Sequence, residues 1–104
     1  MNMKLQKRVA AFVEANRLET DVANRVLDLT SEIGEVAKEV LKSTRYGKIR
    51  FKRSENWESE LGDILFSIIC VANTTGVDLE KALGNALMKY RKRIRNTKDA
   101  GSGK

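Results

Sequence analysis

Five residues occur almost twice in this chain, and each copy holds two acids separated by a glycine and an apolar residue. Residues 31–35 read Ser-Glu-Ile-Gly-Glu, and residues 59–63 read Ser-Glu-Leu-Gly-Asp. Residues three apart share a helix face, so each copy directs two carboxylates to one side. Two such helices packed face to face would bring together Glu32, Glu35, Glu60 and Asp63. Because close carboxylates repel and lose solvation, the pattern predicts a helix pair around a divalent metal ion.

The composition predicts an all-α fold. The chain has 104 residues, no proline and seven glycines, and it is rich in residues that favour helices. Helical spacing of apolar residues indicates four helices, near residues 3–16, 21–43, 54–75 and 79–95, which we expect to form a bundle. We expect a single domain over residues 1–96, followed by a polar, disordered tail over residues 97–104.

The second predicted helix carries two parallel stripes. Its apolar stripe has the 4-3-4 spacing of bundle packing and consists of Val22, Val26, Leu29, Ile33, Val36 and Val40. The acidic stripe beside it, also spaced 4-3-4, consists of Asp28, Glu32, Glu35 and Glu39. An acidic stripe alone is most simply a solvated face, but the near-copy in the third helix favours a shared site.

The third predicted helix is apolar on nearly every side, so it must be buried on every side. One small chain cannot easily surround it, and we therefore expect a homo-oligomer. Ser54 is the predicted N-cap of this helix and Gly76 its C-terminal glycine; Asp78 is the predicted cap of the fourth helix. Glycine inside a helix costs about 1 kcal/mol, so Gly34 and Gly62 indicate either close helix–helix contact or a functional motif.

Histidine is absent, which excludes Ser-His-Asp catalysis, histidine-ligated zinc and Glu-x-x-His di-iron sites. A site made only of carboxylates suits hard ions, Mg²⁺ first and Mn²⁺ second. The single cysteine, Cys70, lies in an apolar run and is expected to be a buried thiol, which indicates a cytoplasmic protein. The sequence shows neither an apolar leader nor a run of about 18 apolar residues, so we expect no secretion signal and no membrane partner.

The paired acidic motif, followed by Ile-Leu-Phe, resembles the signature of the MazG-like all-α nucleoside triphosphate pyrophosphohydrolases. Residues 72–82 and the basic pattern over residues 85–93 are also similar to that family, and the resemblance covers residues 27–95. It implies a four-helix MazG-type fold that assembles as a dimer or a dimer of dimers. It also implies Mg²⁺-dependent hydrolysis of a nucleoside triphosphate to a monophosphate and pyrophosphate, in nucleotide-pool house-cleaning. By matching position, the metal ligands would be Glu32, Glu35, Glu60 and Asp63.

A carboxylate near the metal can accept the proton of the attacking water, and Glu35 and Glu39 are the two candidates. Lys89 and Arg93 lie four apart on the fourth helix and are candidates for the phosphates, although a solvated basic face explains them equally well. The basic loop, residues 42–53, would steer a triphosphate inward by its collective charge.

Two further residues are candidates for substrate binding. Trp57 lies one helical turn before Glu60, where it either packs in the core or lines a base pocket. Asn73 either supports the metal site, recognises the substrate, or is simply a polar residue near the end of a helix. Nothing in the sequence selects one nucleotide base.

The main rival from another class is a basic helical module that binds nucleic acid. It is supported by the net charge of +6 and the basic run over residues 89–95. No known nucleic-acid motif accompanies that charge, and such a module has no use for four converging carboxylates, so we do not expect nucleic acid as the partner. A metal-binding regulatory subunit without catalytic activity, sharing the same fold, is the third interpretation.

Overall fold

The computed structural model describes residues 3–97, and within that range the chain forms four helices and no strand. The helices are α1 (Lys4–Ala15), α2 (Val22–Ser43), α3 (Trp57–Thr75) and α4 (Leu79–Thr97). The predicted all-α class with four helices is confirmed. Helix α4 continues to Thr97, slightly beyond the expected end, and the remainder of the predicted tail lies outside the described residues.

Local signals fix most of the helix ends. The Asp21 carboxylate accepts a hydrogen bond from Asn24 N at 2.9 Å at the start of α2. Gly76 ends α3 with a left-handed φ of 71°, a conformation that glycine adopts without the steric penalty of a Cβ. Asp78 accepts from the backbone amides of Glu80 and Lys81, at 3.0 and 3.2 Å, and caps α4. The predicted roles of Gly76 and Asp78 are confirmed.

The prediction that Ser54 caps α3 is wrong. Helix α3 begins at Trp57 after Asn56, and no side chain caps it. The hydroxyl of Ser54 instead donates to Oε1 of Glu39 at 2.6 Å. Because the helix begins three residues after Ser54, the hydroxyl does not stand at the N-cap position, and its proton forms a charge-assisted hydrogen bond with a carboxylate of α2.

Helices α2 and α3 form the most extensive contact of the fold, and α1 packs against α3. The pair is antiparallel, because the end of α2 meets the segment before α3 through Glu39 and Ser54, while its middle meets the first turns of α3. On the α1 side, the rings of Phe12 and Phe66 meet edge to face at 6.2 Å. Helix α4 leaves the end of α3 at 104° and buries none of its residues.

The core of the described chain is small. Its buried apolar residues are Ile69, Cys70 and Ala72, all on α3. Other large side chains of the same helix remain open, with Leu61 46% and Leu65 48% exposed. An apolar groove of about 460 Å³ runs between α1 and α3. The expectation that one chain leaves α3 partly uncovered therefore agrees with the fold.

The two motif glycines do not mediate helix contact within the chain. A Cβ placed on Gly34 or Gly62 would have no atom within 4 Å beyond its own helical surroundings. The interpretation of these glycines as points of close approach is therefore wrong for a single chain.

Within residues 3–97, no single helix is both long enough and apolar enough to cross a membrane. By length and composition alone, α3 and α4 satisfy that test only as a bent pair.

Candidate metal centre

Three of the four predicted ligands come together where α2 passes the first turns of α3. One carboxylate oxygen from each of Glu32, Glu60 and Asp63 lies within 4.8 Å of the other two. Glu32 and Glu60 are partly buried, whereas Asp63 is exposed. The i to i+3 spacing of Glu60 and Asp63 places both on the face of α3 that meets α2.

The electrostatics of Glu60 reflect this crowding. Partial loss of solvent raises the pKa of Glu60, and the nearby charges of Glu35, Asp63, Glu39 and Glu32 raise it further, Glu35 most strongly. A carboxylate that is hard to ionise among other carboxylates becomes easier to ionise when a cation is added. The donor set consists of oxygens alone, which fits Mg²⁺ or Mn²⁺.

Glu35 and Glu39 flank this cluster without joining it. Glu35 is exposed and does not belong to the group of three oxygens, although its charge acts on Glu60. The Ser54 hydroxyl donates to Oε1 of Glu39, and Oε2 of the same carboxylate takes no part in that bond. The charges of both act on Glu60, and a role for either as the base that takes the proton of water is a prediction.

Trp57 stands at the first position of α3, one turn before Glu60. Its ring packs against Phe51 of the preceding loop, with centroids 5.0 Å apart and planes at 60°. The Ser43 hydroxyl holds the same loop through both backbone groups of Lys52, at 2.7 and 2.9 Å. Trp57 is thus anchored at the edge of the site, and its part in substrate binding remains a prediction.

Lys89 and Arg93 both lie against the ring of Tyr90 on α4. The Lys89 ammonium lies 5.3 Å from the centre of the Tyr90 ring, and the Arg93 guanidinium lies 5.6 Å from it. One guanidinium nitrogen of Arg93, Nη1, is buried without a hydrogen-bond partner. Both cations thus pack against one ring, and contact with phosphate remains a prediction.

Asn73 is engaged with Gln6, a residue that our sequence analysis did not single out. The Gln6 side chain donates to Asn73 Oδ1 at 2.9 Å and to the Val77 carbonyl at 2.8 Å, and it accepts from Leu79 N at 2.8 Å. Asn73 in turn donates to the Gln6 carbonyl at 3.0 Å. Both functional groups of the Asn73 amide thus bind Gln6 and join α1 to α3, while Gln6 itself bonds the turn after α3 and the start of α4. The predicted substrate role of Asn73 stays a prediction.

A second residue missed by sequence analysis is Arg25, on α2. It is only 8% exposed, and its Nη2 donates to the Leu18 carbonyl at 2.6 Å. Its apolar helical neighbours, such as Val22 and Leu29, are the signal that could have identified it, because they place Arg25 beside the face of α2 that is expected to be buried. A buried charged residue is rare and therefore needs an explanation.

The fold and the cluster together define an all-α protein with a carboxylate centre between two antiparallel helices. A family model described as the MazG nucleotide pyrophosphohydrolase domain matches residues 21–97. This range contains both acidic motifs and the helices α2, α3 and α4.

Similar proteins come from Bacillus. An uncharacterized protein of Bacillus subtilis (strain 168), YpjD, is 40% identical over 74 residues, which are 68% of this chain and 60% of that protein. The crystal structure of the Bacillus-conserved MazG protein, a nucleotide pyrophosphohydrolase, has a TM-score of 0.69 at 35% identity, over 86% of this chain and 89% of that one. The crystal structure of the putative pyrophosphatase YPJD from Bacillus subtilis has a TM-score of 0.67 at 31% identity, over 95% of this chain and 97% of that one.

The chain belongs to the MazG nucleotide pyrophosphohydrolase domain family. The predicted family, and with it the assignment to a class of hydrolases, is confirmed. In the sequence match, the chain spans less than two thirds of the length of YpjD.

Proposed function

We propose that this protein is a Mg²⁺-dependent nucleoside triphosphate pyrophosphohydrolase that releases a monophosphate and pyrophosphate. The observation that supports it most directly is the three-carboxylate cluster on α2 and α3. The family match and the description of the Bacillus-conserved MazG structure as a nucleotide pyrophosphohydrolase support the same reaction class. A role in cytoplasmic nucleotide-pool house-cleaning is part of the proposal.

The three clustered carboxylates and the two glutamates beside them each have a role in this scheme. Glu32, Glu60 and Asp63 would hold the metal ion, with Glu35 as an added ligand or as the base. Bound there, Mg²⁺ or Mn²⁺ would neutralise phosphate charge and acidify a bound water. Glu35 or Glu39 accepts the proton of the attacking water, and the hydrogen bond from Ser54 orients Glu39 for that task. Positioning and charge stabilisation suffice, because phosphoryl transfer needs little covalent chemistry from the protein.

The phosphates need cations beyond the metal, and α4 offers Lys89 and Arg93. About 18 Å of helix separate Asp63 from the end of α3 at 1.5 Å per residue, and α4 then departs at 104°. Within the described chain, the contacts of Lys89 and Arg93 are with the Tyr90 ring of their own helix, at 5.3 and 5.6 Å. We propose that they serve the carboxylates of another protomer in a dimer or a dimer of dimers.

The uncovered apolar surface supports such an assembly. Leu61 and Leu65 of α3 and Phe12 of α1 are each roughly half exposed in the single chain. Burial of apolar area is favourable by about 25 cal/mol per Å², so a second copy over α1 and α3 would be stabilising. Oligomer formation would then bury the helix and complete the site at once.

The experiment that tests this proposal is a panel of ordinary and modified nucleoside triphosphates, each with Mg²⁺, with all products separated by ion-exchange chromatography. We expect monophosphate and pyrophosphate in equal amounts for at least one substrate, and none after chelation with EDTA. Diphosphate plus phosphate would contradict the proposed bond of cleavage. No product from any triphosphate would instead support a metal-binding subunit without catalysis.

A further inference from the structure

A second cavity lies away from the carboxylate cluster, enclosed by α1, the segment joining α1 to α2, and α3. Its volume is about 350 Å³. Ala10 and Val13 of α1 and Cys70 of α3 form its apolar wall, and Arg25 of α2 is its one cationic residue. None of the three clustered carboxylates lines it.

Arg25 is the unusual feature of this cavity. It is more than nine-tenths buried, and the only hydrogen bond of its side chain in the described chain joins Nη2 to the Leu18 carbonyl. Its Nε is inaccessible and has no partner in the described chain. Its Nη1 makes no hydrogen bond there either and, unlike Nε, keeps some accessible surface. Buried polar groups are nearly always satisfied, so an unpaired guanidinium donor beside an open cavity indicates an acceptor that the protein itself does not provide.

The other polar groups of the wall restrict what that acceptor can belong to. Asn73 is occupied by Gln6, and the Thr74 hydroxyl donates to the Cys70 carbonyl. Burial raises the pKa of the Cys70 thiol, so that side chain is neutral. The exposed carboxylates of Glu14 and Glu19 complete the lining.

This arrangement pairs a buried donor with acceptors at the rim. A simple anion would be attracted by Arg25 but repelled by Glu14 and Glu19. A heterocycle satisfies both sides, because it carries a carbonyl oxygen or ring nitrogen next to an amino or imino N–H. The apolar wall suits its flat faces, so the lining fits a nucleobase better than an inorganic ion.

The distance from Arg25 to the carboxylate cluster matches the length of a nucleotide. Arg25 and Glu32 lie seven residues apart on α2, which is close to two full turns, so they share a face at a separation of about 11 Å along the axis. That separation is comparable with the span from the α-phosphate to the base of a nucleotide. A nucleotide with its phosphates at the carboxylates can therefore place its base beside Arg25.

We propose that this cavity receives the base of the nucleotide and that Arg25 selects it by donating a hydrogen bond to an acceptor on the heterocycle. The assignment rests on the proposed function, since it names the part of the substrate that the same site would recognise. It makes Arg25 a specificity-determining residue rather than a catalytic one.

The test separates base binding from hydrolysis. Calorimetric titration of the full chain with free nucleosides in EDTA measures the cavity alone, because a nucleoside has no phosphate and the buffer no available metal. The kcat/KM values for the corresponding triphosphates with Mg²⁺ measure the complete reaction. We expect the parent protein to bind at least one nucleoside and Arg25→Met to bind it about tenfold or more weakly. We also expect Arg25→Met to flatten the ranking of triphosphates by kcat/KM.

Since Arg25 also bonds the Leu18 carbonyl, Arg25→Met could unfold the protein, and a second pair of variants covers that case. Ala10→Phe fills the cavity from α1 and leaves Arg25 unchanged in the sequence. Ala11→Phe makes the same change at the neighbouring residue, which is outside the cavity wall. We expect the first to lose nucleoside binding and the second to keep it.

Two outcomes would overturn the inference: no nucleoside binding by the parent protein, or unchanged affinities and ranking in Arg25→Met and Ala10→Phe. Nucleoside binding that is lost in Ala10→Phe, with no pyrophosphate from any triphosphate, would support the base cavity while the proposed hydrolysis fails.

Discussion

At the scale of single residues, Asp63 is the exposed member of the carboxylate cluster, and Asp63→Asn is the sharpest test of a metal role. If it ligates the metal, the loss of activity should exceed the roughly 10–100-fold typical of losing an outer-shell partner. Without metal, the fold should be unchanged or more stable, because removing one charge relieves the repulsion that raises the pKa of Glu60. Melting curves with and without Mg²⁺ check this, since binding should stabilise the parent protein more than the variant.

The matched control is Glu58→Gln, which also converts an acid of α3 to its amide, at an exposed position outside the cluster. It should keep both its activity and its stabilisation by Mg²⁺. If Asp63→Asn behaves like this control, the paired motif is not the metal site.

Gln6 supports a second prediction at this scale. Gln6→Leu keeps the size of the side chain but leaves Asn73 Oδ1, the Val77 carbonyl and Leu79 N without their partner. Each buried group left unpaired costs about 1–3 kcal/mol, so we expect a loss of about 2–5 kcal/mol in the free energy of unfolding. Urea denaturation measures it.

Lys7→Leu is the control for Gln6, because Lys7 is the exposed neighbour on the same helix. It should change stability by less than about 0.5 kcal/mol. Equal stability of both variants would mean that the Gln6 bonds do not hold α1 in place.

At the scale of elements, α2 and α3 each carry a glycine inside the helix, at Gly34 and Gly62, which lowers the helix propensity of the acidic motif. Gly34 lies inside α2 and a Cβ there would meet nothing, so Gly34→Ala should stabilise the chain by about 1 kcal/mol through helix propensity. Gly76→Ala should destabilise it by about 1–2 kcal/mol, because φ is 71° at that residue. Thermal melts at one protein concentration measure both changes.

The opposite sign at Gly34 would be informative. A lower melting temperature for Gly34→Ala would show that a second copy or another partner approaches α2 closely at that point, where the single chain leaves open space.

At the scale of the whole molecule, the uncovered apolar groove between α1 and α3 predicts self-association. Light scattering at micromolar concentration should give a mass of at least twice the 11.7 kDa of one chain. Leu65→Lys should shift the protein toward monomer, because Leu65 lines that groove and is 48% exposed. Activity should fall with it if the α4 cations act in another protomer.

Thr75→Lys adds the same charge to the same helix at an exposed polar position outside the groove, and it should leave the mass unchanged. A monodisperse parent monomer would contradict the predicted assembly directly.

Much of the architecture could be predicted because it depends on local physics. Helical periodicity gave the four helices, and cap chemistry placed Gly76 and Asp78 correctly. The acid-x-x-acid spacing put the carboxylates on facing helices, and Glu32, Glu60 and Asp63 do converge. The Ser54 prediction failed because α3 begins three residues later than expected. The hydroxyl bonds Glu39 instead, and no local pattern shows a partner fifteen residues away.

The sequence alone determined the helices and the pairing of the two acidic faces, because both follow from spacing along one chain. The family was predicted from the resemblance of its motifs, and the family match confirms it. Only the tertiary structure decided which polar residues are buried. Gln6 and Arg25 are residue types that mostly lie at the surface, yet both are nearly inaccessible. The physical reason is that burial depends on what three separate helices place around a side chain, and that arrangement sets which hydrogen bonds are made and which, as at Arg25, are left open.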